Sequence, residues 1–256
     1  MSSPTLAELE SYCNEMLNIS AFQDYCPNGL QVEAMDPKAP VKKIVTGVTA
    51  SQALIDVAIE QKADVLLVHH GYFWKGESSS LVGIKGCRIR DLMRNGISLI
   101  AYHLPLDAHP VIGNNAQLAN LLKIETKGGL DSSEYPVGNW GELAAARTVA
   151  DFAEDIRAAL GREPLAIGDS ARQIQSVAWC TGAAQSYIEK AAALGVDAFI
   201  TGEISEPSVH LARELDVVFY AAGHHATERY GVKALGEHLS EAFNLDVVFV
   251  DIDNPV

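Results

Sequence analysis

The sequence predicts an α/β protein made of two similar βα lobes that face each other, the first over residues 1–126 and the second over 127–256. Three observations carry this expectation. Short β-branched or continuously apolar runs alternate with helix-period segments, the rhythm of βαβ units. The chain also lies over itself in register when slid by 133 residues and, further along, by 121. Finally, 256 residues that are 48% hydrophobic and 20% charged place the chain among globular proteins able to bury a large core.

Taken in order, Pro4 to Leu17 reads as an amphipathic helix, with Leu6, Leu9, Cys13, Met16 and Leu17 three and four apart. Ser3 and Pro4 suit its N-cap and first helical position. After the connection CPNGLQVE, the β-branched run Lys43 to Val48 is a strand, and Ser51 opens a helix that ends near Lys62. Leu54, Ile55, Ala58 and Ile59 form its apolar face. Asp64 to Val68 (DVLLV) is an unbroken apolar run, as expected of a strand covered on both faces. A helix around Arg88 to Arg94, a strand Ser98 to Tyr102 and a helix Asn114 to Leu122 continue the alternation. Lys127 to Leu143, rich in Gly and polar residues, gives the weakest signal and marks the expected lobe boundary.

The internal repeat supplies the second lobe. At an offset of 133, Asp64 falls on Asp197, Gln52 on Gln185, Ile55 on Ile188, Ala58 on Ala191, Leu67 on Ile200 and His70 on Glu203. At an offset of 121, SLIAYHLPLD lies over FYAAGHHATE, so that His103 meets His224 and Asp107 meets Glu228. Both pairs read His-x-x-x-acid. The change of offset means a longer connection in the first lobe, for which YFWKGESSSLVG is the evident source.

The 33 acidic against 19 basic residues give a net charge of −14, which disfavours a global electrostatic grip on nucleic acid. No apolar stretch is long enough for a membrane span, and the start MSSPTLAELE lacks the features of a secretion signal, so a cytoplasmic location is expected. Cys13, Cys26, Cys87 and Cys180 show no CxxC spacing and read as reduced, buried thiols. Dinucleotide, P-loop and serine-hydrolase motifs are absent from the sequence.

Six of the eight histidines lie at the ends of expected strands: His69 and His70 after VLLV, His103 and His109 after SLIAY, His224 and His225 after VVFYAAG. His210 and His238 fall in helices. In open α/β sheets, residues beyond the carboxyl ends of strands converge although distant in sequence. His69, His70, His103 and His224, joined by Asp107 and Glu228, make a donor set of imidazoles and carboxylates, suited to Zn, Fe, Mn, Co or Ni. A turn at Gly71 would let both members of the His69–His70 pair serve one centre, one to each of two ions. If His224 opens a helix, Glu228 lies four residues on along the same face, and its carboxylate can bridge two cations. His225 with Glu228, three apart, is nearly as good, and only the match to His103 favours His224. Tyr72, Phe73 and Trp74 suit ring stacking, a hydrophobic plug or a subunit contact.

The segments DYCPNGLQVE, ADVLLVHHGYFWKGE, AYHLPLDAH, GNNAQLA, DAFITGEISE and GHHATERYGV resemble the dinuclear-metal proteins known as GTP cyclohydrolase 1 type 2 homologs, or NIF-three-like proteins, in that family's order from Asp24 to Val232. The resemblance implies metal ligands at His69, His70, Asp107, His224 and Glu228, with His103 near the centre as a catalytic proton shuttle; no ligand position departs from the pattern. It implies two α/β lobes with a dinuclear metal cleft between them, in the short form without an inserted domain, and a toroidal homohexamer built as a trimer of dimers.

The implied activity is metal-dependent hydrolysis of a nucleotide-like substrate by metal-bound hydroxide, with GTP ring opening as the family name has it. A metal-dependent phosphoesterase or nuclease, and a non-enzymatic metal-binding hexameric adaptor, stand beside it, because paired metals serve several bond types. No membrane partner is expected. The resemblance and the apolar YFW segment together predict a closed oligomer, most simply a hexamer. Light scattering at micromolar concentration should return a multiple of the single-chain mass; the mass of one chain would end the idea.

Overall fold

A computed structural model describes residues 3–256. In chain order the elements are α1 (Leu6–Met16), β1 (Gly29–Val32), β2 (Lys43–Thr49), α2 (Gln52–Glu60), β3 (Val65–His70), α3 (Gly83–Arg94), β4 (Ser98–Ala101), α4 (Leu104–Ala108), α5 (Asn114–Leu122), β5 (Ile124–Gly129), β6 (Asn139–Thr148), α6 (Val149–Leu160), β7 (Leu165–Ile167), β8 (Gln173–Cys180), α7 (Ile188–Ala193), β9 (Ala198–Thr201), α8 (Glu206–Glu214), β10 (Val218–Ala221), α9 (His224–Phe243) and β11 (Asp246–Phe249). The class is α/β, with two separate sheets. Among the described residues no helix is long and apolar enough to cross a membrane.

The chain divides into two compact units. The first holds the residues up to Leu106 together with Gly231–Asp253, and the second holds Asp107–Tyr230 with Asn254–Val256. This differs from the expected halves, 1–126 and 127–256, for a physical reason. The late strand β11 pairs in parallel with β2 and so completes the first sheet, while α5 packs its Leu118 and Leu122 into the second core with Phe152 and Trp179. Asp107 thereby belongs to the second unit and not to the first.

In the first unit the sheet order is β1-β4-β3-β2-β11, all parallel except β1. Parallel strands are covered on both sides, which is why β3 (VLLVHH) is apolar without alternation and almost wholly buried. Leu54, Ile55 and Ala58 of α2 and Leu92 of α3 pack on Val45, Leu66, Val68 and Leu99. Gly47 permits that approach, since a Cβ there would lie 2.5 Å from a Leu54 methyl carbon.

The second sheet runs β5-β6-β8-β9-β10-β7, with β8, β9 and β10 mutually parallel. The repeat is visible in this topology. Just as β1 closes one edge antiparallel to β4, β7 closes an edge antiparallel to β10. The overlaid acids also do the same work. Asp64 Oδ2 accepts the amides of Lys42 and Lys43, and Asp197 Oδ2 accepts those of Gln175 and Ser176. Each carboxylate thus satisfies two successive amides at or near the start of the neighbouring strand.

Several local expectations need correction. The first helix is capped by Thr5 rather than Ser3, through a capping box in which Thr5 Oγ1 accepts the Glu8 amide and Glu8 Oε2 accepts the Thr5 amide. The weak stretch 127–143 contains paired β-strand, β5 against β6, whose bulges and Gly and polar residues hid it. His109 follows the short helix α4 rather than a strand. Of the four cysteines, Cys87 is exposed on α3. Tyr72 is buried, its hydroxyl donating to the Ala50 carbonyl, and the exposed apolar side chains of this region are Leu81, Val82 and Ile84.

Removing the Thr5 hydroxyl leaves the Glu8 amide at the first turn of α1 without its cap. Thr5→Ala should cost about 1 kcal/mol of stability and lower the melting temperature by roughly 2–4 °C. Calorimetry that found no shift would show that the cap is dispensable.

Candidate metal centre

In the first unit, β3 delivers His69 and His70 at its carboxyl end, and the residue after β4 and Tyr102 is His103. The three rings each offer a nitrogen within 4.8 Å of the others. The turn that follows His70 is fixed by Gln31, whose Oε1 accepts the Tyr72 amide at 2.7 Å. A Cβ on Gly71 would stand 2.1 Å from that same oxygen and 2.7 Å from the Ala101 Cβ on the neighbouring strand, so the glycine lets the turn lie close to β4.

One nitrogen of each ring is held. His69 is fully buried and its Nδ1 lies 2.8 Å from the Tyr102 carbonyl, which can only accept, so the proton sits on Nδ1 and Nε2 is the nitrogen that could bind an ion. His70 Nδ1 is 3.2 Å from the Thr49 hydroxyl. His103 Nδ1 donates to Asp24 Oδ1 at 2.7 Å. Asp24 is itself fixed, accepting the amides of Tyr25 and Leu104 and the Asn28 side chain. Burial alone would raise the Asp24 carboxyl, yet the bonds from His103, Asn28 and the Tyr25 amide hold it below the usual range.

Cys26 also lies within 4.8 Å of Asp24 and His103. Burial, aided by the Asp24 charge, pushes its thiol up to about 12. It stays protonated at neutral pH and is a poor competitor for metal against the imidazoles.

The second unit holds two buried carboxylates. Asp107 and Glu228 are only 4% and 3% exposed, and their carboxylates each offer an oxygen within 4.8 Å of the other. Asp107 Oδ1 accepts from Asn114 Nδ2 at 2.8 Å and Thr181 Oγ1 at 3.3 Å. Glu228 sits one turn along α9 from His224, whose Nε2 lies 2.9 Å from Glu228 Oε2. His224 Nδ1 is held by Glu203 Oε1 at 2.7 Å. Gly182 makes room for this group: its φ is +69°, and a Cβ would be 1.9 Å from Glu228 Oε1 and 3.2 Å from His224 Nε2.

Burial would lower the His224 ring, but the bonds to Glu228 and Glu203 dominate and push it up to about 9. Two buried carboxylates so close demand a cation, since like charges are costly at short range away from water. Protonated His224 is one such charge, and a divalent ion held by these donors would be another. The donor set fits such ions, because histidines that ligate metals commonly give their other nitrogen to a carboxylate or carbonyl.

Of the residues expected from sequence, His69, His70 and His103 thus come together in the first unit, and Asp107, His224 and Glu228 in the second. His224 rather than His225 faces Glu228, and the His225 amide donates to the Val256 carbonyl. His109 stands apart, its Nδ1 accepting the amides of Val111 and Ile112. His210 pairs with Glu206 on the surface of α8, and His238 stacks on Tyr12. Residue-by-residue reading missed Asp24, Glu203, Asn114 and Thr181 as supports; for Glu203, its overlay on His70 was the available signal.

A family model described as Duf34/NIF3 (NGG1p interacting factor 3) matches residues 4–255. A Yersinia pestis protein named "GTP cyclohydrolase 1 type 2 homolog" is 54% identical over 249 residues, covering 97% of this chain and 98% of that protein. A protein of the same name from Escherichia coli K12 is 56% identical with the same coverage. Among solved structures, protein ybgI, described as of unknown function, superposes with a TM-score of 0.93 at 54% identity, covering 99% of this chain and all of that one. TTHA1606 from Thermus thermophilus does so at 0.88 and 33% identity, with the same coverage.

The Glu228 carboxylate carries charge into the buried cluster, whereas His225 is not grouped with it. Glu228→Gln should therefore lower the metal content of purified protein more than His225→Gln. Elemental analysis showing the reverse would shift the ligand register on α9 by one residue.

Proposed function

The chain belongs to the Duf34/NIF3 family, and on that premise we propose that it is a divalent-metal-dependent hydrolase of a nucleotide-like substrate, with two ions held by His69, His70, Asp107, His224 and Glu228. The observation that carries this reading is the anchoring of Nδ1 in His69, His70, His103 and His224, which directs the opposite nitrogen of each ring to a common chemical use. The name shared by the Yersinia pestis and Escherichia coli relatives supports the nucleotide-like substrate. In this reading His69, His70 and His224 contribute imidazoles, and the carboxylates of Asp107 and Glu228 compensate the charge of two dications.

Bound ions of this kind supply Lewis acidity and lower the pKa of coordinated water toward neutrality. The protein's own groups do the rest. His103, with Nδ1–H committed to Asp24, takes a proton at Nε2 and returns it to a leaving group, and Asp24 stabilises the imidazolium formed in between. Asn114 and Thr181 hold Asp107 in one orientation, and Glu203 does so for His224. The reading also takes the protein to be cytoplasmic and to act as a closed oligomer of identical chains.

Protein stripped of metal and then restored with Zn, Mn, Fe, Co or Ni should recover turnover of GTP. His103→Gln should keep its metal while losing on the order of 10²- to 10⁴-fold in kcat. Turnover of generic phosphodiesters in place of GTP would move the reading to a phosphoesterase. Release of no product from either substrate, with the metal restored, would sink it in favour of a metal-binding adaptor.

A further inference from the structure

We infer that Gln31 is a positioning residue with two separable duties. Its Oε1 sets the turn that follows His69 and His70, and its Nε2 sets the loop that holds His103, duties that bear on chemistry only if those histidines are the metal and proton-transfer set proposed above.

The two groups of imidazoles arrive by different routes. His69 and His70 end β3 and run into the turn Gly71–Trp74, whereas His103 follows β4 and takes its partners from the loop that precedes β1. Asn28 Oδ1 accepts the His103 amide at 2.8 Å, Asn28 Nδ2 donates to Asp24 Oδ2 at 2.8 Å, and Asp24 Oδ1 accepts His103 Nδ1 at 2.7 Å. The paired register of β3 with β4 ends at Val68 and Ala101, short of all three rings. Gln31 bridges the gap. Its Oε1 accepts the Tyr72 amide at 2.7 Å and its Nε2 donates to the Pro27 carbonyl at 2.8 Å, so one side chain joins the turn to the loop.

A fault in the strand puts it there. In β1, Leu30 pairs with Ile100 and Val32 with Leu99, which are consecutive residues of β4, so Gln31 is the extra residue of a β-bulge. Bulges re-aim a side chain that regular pairing would send elsewhere. The base of the bulge is pinned separately, because Glu10 Oε1 on α1 accepts the Leu30 amide at 3.0 Å.

The turn needs this hold. Phe73 has a φ of +65°, a left-handed conformation that is costly for a residue with a bulky side chain. The Tyr72 amide on Gln31 and the Trp74 indole on the Gly71 carbonyl, at 3.2 Å, fasten it from two sides. The same turn places the Trp74 ring edge-to-face against His103, with centroids 5.0 Å apart, and 5.9 Å from His70. Loosening Gln31 therefore disturbs the end of β3 and one wall of His103 together.

Two variants separate the duties. Gln31→Met removes both bonds at similar length. Gln31→Glu keeps an oxygen for the Tyr72 amide but sets another against the Pro27 carbonyl, so the turn stays held and the loop does not. Amide hydrogen exchange in the full chain stripped of metal reads both arms without turnover. Gln31→Met should speed exchange at Tyr72, His103 and Leu104, and Gln31→Glu should speed it at His103 and Leu104 alone. Zinc titration should find binding weakened about tenfold by Gln31→Met, as loss of an outer hydrogen-bond partner does, and Gln31→Glu should bind at least as well as the wild type while its kcat on GTP stays about tenfold low.

A merely structural glutamine would move every readout in step with thermal stability. Exchange that rises equally at all three amides in both variants overturns the division of duties, and exchange unchanged at all three in Gln31→Met overturns the role itself. The expected exchange pattern in protein that turns over no GTP with metal restored overturns the hydrolase reading and leaves Gln31's role standing. Unchanged exchange in Gln31→Met protein that binds zinc and turns over GTP does the opposite.

Discussion

An imidazole has two nitrogens, and what holds the first decides what the second can do. In this protein the hydrogen bond at Nδ1 is the interaction on which the rest of the candidate site depends. The Tyr102 carbonyl, the Thr49 hydroxyl, Asp24 and Glu203 each hold one ring. Without those partners the histidines at the strand ends would be free to rotate and to change tautomer, and the ordering entropy of a metal site would fall due at binding. Two of the partners are carboxylates, which strengthen the basicity of the rings they hold.

Those partners are in place because the strands are. The Tyr102 carbonyl follows β4 directly, so parallel pairing of β3 with β4 sets the His69 bond. In the second unit, β8, β9 and β10 repeat the arrangement, and the Gly202 amide reaches the Gly182 carbonyl at 2.8 Å beyond the strand ends. The acids that tie the strand starts together, Asp64 and Asp197, occupy equivalent positions in the two sheets. A substitution at either would reach the site indirectly, through strand register.

What the sequence made legible follows periodicity and repetition. The parallel strands are apolar without interruption, and the overlay at 133 residues carries β3 onto β9 and α2 onto the stretch that ends in α7. His69, His70, His103, Asp107, His224 and Glu228 were all readable as residues at strand ends or on the segments that follow them. The edge strands were not. β1, β5 and β7 are short, glycine-bearing or half-exposed, so they carry no unbroken apolar run, and their partners are fixed by tertiary pairing. The unit boundary was illegible for a similar reason, because β11 joins a sheet whose other strands end at Ala101. Asp24 and Asn28 escaped notice because a polar loop gives no local sign that it folds over a histidine 75 or more residues away.

The repeat also explains the chemical asymmetry of the two units. Where the first has His70 at the end of β3, the second has Glu203 shortly after β9, and this carboxylate does not stand in for the imidazole. It turns to His224 and holds its Nδ1. In the first unit the equivalent support for His103 comes from Asp24, in a loop before β1. One arrangement, an imidazole after the last parallel strand with a carboxylate on its Nδ1, is therefore reached from two unrelated places in the chain. Because the same geometry is met by different sequence routes, the physical requirement lies in a carboxylate placed at Nδ1 and not in the segment that delivers it.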